Sequence, residues 1–340
     1  MPDFMQTPTA VSPGNRKGAW QAGVAQNPAG SRKYKLWVPA AYGPQKPSAL
    51  MMMLHGCTQT AEDFAELSGM NRIADRDNFL VVYPEQSRRA NFLKCWNWFD
   101  PEHQARDAGE PSILAEVVAQ VQSTHNIDSE RVYVAGASAG GAMAVVLAAT
   151  YPDLFMAIAV TAGVEFKGAT SRSSGFALMR RGGPDPNRQG LLAFEAMAAG
   201  LKQKPRLRIP VIAFQGSHDS HLHPVNADQL IAQWAKTNQC LAEAERANNL
   251  NGLSEEIVEG SIPDGRSITR HRYRDAAGLL MEKWIIHGMG HAWSGGPAGV
   301  RHADPKGPNT SEEMWRFFQE TTPAPGGRNS VSAARSPART

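Results

Sequence analysis

The residues Gly136-Ala137-Ser138-Ala139-Gly140 set a serine hydroxyl between two glycines. The apolar run 131–135 precedes them directly, and an Ala-, Val- and Met-rich run, 140–150, follows. A G-x-S-x-G string alone arises wherever small residues meet by chance. With a strand before it and a helix after it, the string becomes the sharp turn that lifts a nucleophilic serine to the top of a parallel sheet. That turn strains the serine backbone, and the flanking glycines let strand and helix approach closely. The competing reading is a small-residue packing turn with no chemistry.

A serine hydroxyl attacks only when an imidazole removes its proton and a carboxylate orients that imidazole. In a sheet of this kind the partners follow in the order serine, acid, histidine, each in a loop after a strand. The run I-P-V-I-A-F at 209–214 leads into Gln215-Gly216-Ser217-His218-Asp219, and M-E-K-W-I-I at 281–286 leads into His287-Gly288-Met289-Gly290-His291. Asp219 and His291 are the candidate acid and base. Asp228 is a rival acid, but it falls inside the next helical pattern. His287 is a rival base at the strand end, where packing or loop orientation is its expected part. The oxyanion of the tetrahedral intermediate needs aligned backbone N–H donors. Ala139, after the nucleophile, offers one; the loop His55-Gly56-Cys57-Thr58 offers the other, from Cys57 first and Thr58 second.

Trp96, Trp98, Phe99 and Trp293 are candidates for an apolar, substrate-binding wall, against the plainer reading that tryptophans fill core space. Glu110, an acid after a loop, is a further candidate to line the cleft. His218, His221 and His223 form an H-x-x-H-x-H string, but it is short and loop-borne and Asp219 is already assigned, so no metal site is expected. Acyl transfer by such a triad needs no cofactor. Of the three cysteines, Cys57 and Cys95 could pair and leave Cys240 free, or all three could be reduced thiols.

The elements that must position these groups are legible as short apolar runs alternating with helical patterns. Strands are expected at 35–39, 49–54, 79–83, 131–135, 155–161, 209–214 and 280–286, and helices at 63–76, 113–125, 140–150, 226–236 and 311–319. Apolar runs without polar alternation suit strands buried on both faces, so the expected fold is α/β, a mostly parallel central sheet flanked by helices. Residues 33–322 form the expected catalytic domain, 1–32 a loose arm and 323–340 a disordered tail. Residues 164–208 break the rhythm, either as an insertion over the active site or as an irregular connection.

Composition narrows the remaining classes. With 35 Lys+Arg against 32 Asp+Glu, the formal charge is only +3. No basic run has the density that nucleic-acid phosphates call for. The most apolar stretch, 132–163, is broken by Ser138, four glycines, Pro152 and Asp153, a strand–helix–strand pattern and no membrane span. The first residues lack a basic segment followed by an apolar one, so no signal peptide is read and a cytoplasmic location is expected.

Five motifs together carry a resemblance: L-H-G-C-T-Q at 54–59, V-V-Y-P-E-Q at 81–86, C-W-N-W-F at 95–99, G-A-S-A-G-G-A-M at 136–143 and H-G-M-G-H-A-W-S-G-G at 287–296. In this order they resemble the polyhydroxybutyrate depolymerase family of esterases, relatives of feruloyl and acetylxylan esterases, over about 34–320. The resemblance implies an α/β-hydrolase fold with Ser138 as nucleophile, His291 as base, Asp219 in a G-x-x-D loop and His55-Gly56-Cys57 as the oxyanion loop. Where the family often has His before that glycine, this chain has Gln215. The resemblance also implies a Cys57–Cys95 bridge, and an extracellular alternative to the cytoplasmic reading, since secreted members carry a signal. The expected substrate is a polyester or small ester, above all poly(3-hydroxybutyrate), its oligomers or short-chain hydroxyalkanoate esters. A feruloyl or acetylxylan-type or general carboxylesterase is the alternative, an acyltransferase or a non-catalytic scaffold the lesser ones.

Overall fold

The computed structural model describes residues 17–204, 206, 208–244 and 252–322. The strands of its main sheet are β1 (Ala19–Asn27), β2 (Gly30–Val38), β3 (Ser48–Leu54), β4 (Leu80–Glu85), β5 (Ile127–Ala137), β6 (Ala157–Thr161), β7 (Val211–Gly216), β8 (Ser254–Ser261), β9 (Ser267–Asp275) and β10 (Gly278–Ile286). They form one sheet in the order β1-β2-β4-β3-β5-β6-β7-β10-β9-β8. The six central strands from β4 to β10 run parallel. Antiparallel pairs close both edges.

Alternation along the buried strands sorts their side chains onto two faces. On β3, Leu50, Met52 and Leu54 face one core; Ala49, Met51 and Met53 face the other. The first core lies under α3 (Gly109–Thr124), α4 (Ala139–Thr150), α6 (Pro186–Gln203) and α7 (Val225–Ala244). The second lies under α1 (Ala61–Ser68), α2 (Met70–Asp77) and α8 (Thr310–Thr321). Here Trp315 stacks on Phe79 at 3.9 Å between centroids and Phe318 on Tyr133 at 4.6 Å. Each such buried ring contributes about 1.5–3 kcal/mol by burial. Among the described residues no helix is long and apolar enough to cross a membrane.

The structure departs from the sequence expectations at four places. The helix expected over 63–76 is two helices, because Gly69 takes a left-handed φ of 62° and ends α1 where α2 starts. Of the arm expected at 1–32, residues 19–32 lie in an ordered hairpin, β1 with the start of β2; 1–16, like the tail at 323–340, lie outside the described residues. That hairpin escapes an apolar-pattern reading because β1 is an edge strand whose one fully buried side chain is Ala25. β8 and β9 were unforeseen for a related reason: their sequences, S-E-E-I-V-E-G-S and S-I-T-R-H-R-Y-R-D, are charged, the first fully exposed and the second mostly half-buried. Ion pairs join them to their neighbours: Arg270 and Arg272 of β9 to buried Glu282 of β10, which also takes Arg316 of α8, and Glu255 and Glu256 of β8 to His271 and Arg272 of β9. Finally, 164–208 contains α5 (Arg172–Arg181) and α6, and α5 helps to wall an apolar cavity beside Ser138.

Candidate active site

Ser138 stands between the end of β5 and the first residue of α4 with φ 55° and ψ −120°, a region an L-residue rarely occupies. Its backbone N–H donates to Thr161 O at 2.9 Å, which ties the turn to β6. The two glycines are steric necessities. A Cβ at Gly140 would overlap the Leu54 carbonyl, and one at Gly136 would overlap Gly140. The helix start can therefore press against the ends of β3 and β5 and present the serine in the cleft.

His291 Nδ1 donates to Asp219 Oδ2 at 2.7 Å. The other Asp219 oxygen accepts from the backbone N–H groups of His221 (2.9 Å) and Leu222 (2.8 Å). Burial opposes ionisation of this carboxyl, but the His291 pairing and those N–H groups outweigh it and hold Asp219 below the usual carboxylate range. Gln215, fully buried at the end of β7, donates to Asp219 Oδ2 at 3.2 Å and to Leu222 O at 3.1 Å. The glutamine thus takes part in orienting the acid. His291 and Ser138 line one cleft of about 270 Å³, without a hydrogen bond between them in this state; such bonds commonly tighten only once substrate is bound. The rivals lie elsewhere: Asp228 on α7 pairs with Lys283 at 2.6 Å, and exposed His287 bonds Thr269 Oγ1 at 2.8 Å. The rings of His218, His221 and His223 take separate surroundings: Ser217 Oγ, the His291 ring and the Val225 N–H.

The loop after β3 is braced from below. Buried His55 accepts the Gln86 N–H at Nε2 (3.0 Å), so its proton sits on Nδ1 and is donated to Gly56 O at 2.7 Å. Burial pushes this imidazole down to about 4, leaving it neutral at pH 7. The Thr58 N–H is already spent on Leu93 O at 2.6 Å. The Cys57 and Ala139 N–H groups have no partner among the described residues. Cys57 and Cys95 form a disulfide, and Cys240 is free and buried.

Two expectations need correction. Trp96 is no wall of the cleft: it is fully buried, its indole donates to His55 O at 3.2 Å, and it supports the loop. Glu110 likewise lines neither cavity. It is buried and accepts from Arg32, Gln86 and Asn97, so the motifs at 81–86 and 95–99 form one polar brace beneath the oxyanion loop. Trp98 and Phe99 do face a cavity, an apolar one of about 200 Å³ that shares Cys57 and Ser138 with the main cleft. Trp293 lines the main cleft and packs edge-on against Phe64. The sequence reading missed Met179 and Phe176 of α5, and Arg301 and His302 of the loop before α8, all lining one cavity or the other. None falls in a motif; an Arg-His pair ten residues beyond His291 was the one available signal.

Comparison with known proteins places the chain among esterases. The family model described as "Esterase PHB depolymerase" matches residues 32–258. Poly(3-hydroxyalkanoate) depolymerase C of Paucimonas lemoignei is 34% identical over 267 residues, 78% of this chain and 59% of that protein. The chain therefore spans less than two thirds of that relative's length. Feruloyl esterase B of Neurospora crassa is 31% identical over 236 residues, 67% of this chain and 75% of its own. An acetyl xylan esterase structure from Aspergillus awamori superposes with a TM-score of 0.66 at 21% identity, covering 89% of this chain and 99% of that one, a likeness of fold.

Proposed function

This chain belongs to the polyhydroxybutyrate depolymerase family of esterases, and from that premise we propose that it hydrolyses short-chain hydroxyalkanoate esters through an acyl-enzyme on Ser138. The observation that carries the reading is the Asp219-bound His291 opening onto the same cleft as a serine held in a strand–helix turn. His291 takes the Ser138 proton as Oγ attacks the ester carbonyl, and the tetrahedral oxyanion is received by the Cys57 and Ala139 N–H groups. The alcohol leaves with the proton from His291, and water then cleaves the acyl-enzyme with the same base. Asp219 holds the imidazolium throughout.

The cavity next to Ser138, walled by Trp98, Phe99 and Val164 and with Arg172 as its one charged lining residue, suits a largely apolar acyl group. Its aromatic lining also favours a second reading, a feruloyl-type esterase with a planar acyl group, which accords with the Neurospora crassa relative. The Cys57–Cys95 bridge supports an oxidising, extracellular setting over a cytoplasmic one. Release of 3-hydroxybutyrate or its oligomers from amorphous poly(3-hydroxybutyrate), with Ser138→Ala as the blank, tests the substrate. Cleavage of methyl ferulate with no release from the polyester would favour the second reading.

A further inference from the structure

The two cavities that meet at Ser138 are not equivalent. His291 must return its proton to the departing oxygen, so the alcohol half of the ester lies on the His291 side. His291 lines the larger cleft and not the apolar one. The acyl half therefore takes the apolar cavity and the alcohol half takes the larger cleft.

That larger cleft has a charge bias. No Asp or Glu is among its described lining residues, and Arg301 is the one fixed charge there. Several arginines elsewhere in this protein are paired with carboxylates, among them Arg106 with Asp153, Arg266 with Asp304 and Arg316 with Glu282, whereas Arg172 of the apolar cavity, like Arg301, has no such partner among the described residues. Arg301, which is exposed, forms no ion pair among the described residues, although Asp63 and Glu66 share with it the lining of a neighbouring pocket of about 320 Å³. Beside it stand His302 and His221, the latter ring 5.2 Å from that of His291. The corner is also pinned to the base: the Trp293 N–H donates to His302 O at 2.7 Å, and Trp293–Ser294 pairs in parallel with Ala303–Asp304.

We infer that the Arg301–His302 corner is a subsite for a carboxylate carried on the alcohol half of the ester, so that the favoured substrates are short hydroxyacid oligomers ending in a free acid. The inference rests on the esterase reading above. In an oligomer of 3-hydroxyacids, the unit that leaves as the alcohol carries the next carboxyl group two carbons from the departing oxygen. When that unit is the last one, the group is an anion inside the same cleft, facing a guanidinium whose fork matches it. In the step itself the Ser138 Oγ–acyl bond forms and the acyl–oxygen bond breaks. The proton held by His291 goes to the departing hydroxyl, and water restores Ser138 by releasing the remaining acid. Simple alkyl or sugar alcohols present no such charge.

The test compares a 3-hydroxybutyrate trimer as the free acid with the same trimer as its methyl ester, using the full chain. The ratio of kcat/KM, acid over ester, is expected to be about tenfold at low salt, to fall as salt rises, and to collapse towards one in Arg301→Gln, with Arg301→Lys in between. Hydrolysis of the methyl ester with an acid preference absent, or unaltered by Arg301→Gln in a variant of unchanged melting temperature, overturns the subsite and leaves the esterase standing. Failure to cleave either trimer overturns the hydroxyalkanoate reading itself, and the subsite with it.

Discussion

At the scale of single residues, the chemistry rests on how Asp219 is held. Its oxygens are saturated by His291, two backbone N–H groups and Gln215, so the carboxylate has one orientation and fixes the imidazole tautomer. Asp219→Asn keeps the shape but presents an amide to Nδ1, which selects the wrong tautomer; kcat on an aryl butyrate is expected to fall about 10⁴-fold with the fold intact by circular dichroism. The string around Ser138 was legible because it has a mechanical meaning, a turn that only glycine flanks allow. Trp96 was misread because tryptophan type says nothing about which way the ring faces. Gln215 was noticed only as a departure, and its donation to Asp219 becomes visible once the β7 loop folds back on itself.

At the scale of elements, the sheet's centre was readable and its edges were not. Buried strands such as β3 and β7 advertise themselves as continuous apolar runs. β1 depends on its neighbour's hydrogen bonds, and β8 and β9 depend on such bonds and on ion pairs to adjacent strands, which no local pattern encodes. The 95–99 segment is of the same kind: its disulfide to Cys57 and its bonds to Glu110 cross from one loop to another. The bridge closes a separation of 38 residues, and chain entropy assigns such a loop about 4 kcal/mol. Cys95→Ser is therefore expected to lower stability by about 2–4 kcal/mol in urea titrations. Because Cys57 also offers an oxyanion N–H, kcat should fall more than KM changes; an unchanged kcat would show that the loop holds its shape without the bridge.

Across the whole molecule, two buried groups set opposing dependences of stability on pH. His55 is held near 4 by burial, while an unfolded histidine titrates near 6.5. Between those values the unfolded chain binds the extra proton, so His55 costs about 3 kcal/mol as pH falls through this window. Glu165, buried after β6 with both oxygens unpartnered among the described residues, is pushed up to about 8 by burial and by Asp185. There the folded state holds the extra proton, and stability drains as pH rises from about 4.5 to 8. Urea midpoints measured from pH 4 to 8 should show a flatter acid limb in His55→Gln and a flatter alkaline limb in Glu165→Gln. Neither group's environment could be read from its neighbours in sequence, since both depend on elements packed around them.

The central claim is that one serine carries the acyl group. The most direct measurement is the intact mass of the protein after brief mixing with an aryl ester that deacylates slowly, followed by peptide mapping. The account predicts a single acyl adduct on the peptide containing Ser138, absent in Ser138→Ala. An adduct on Cys240 or another residue, or ester turnover that survives Ser138→Ala, would contradict it.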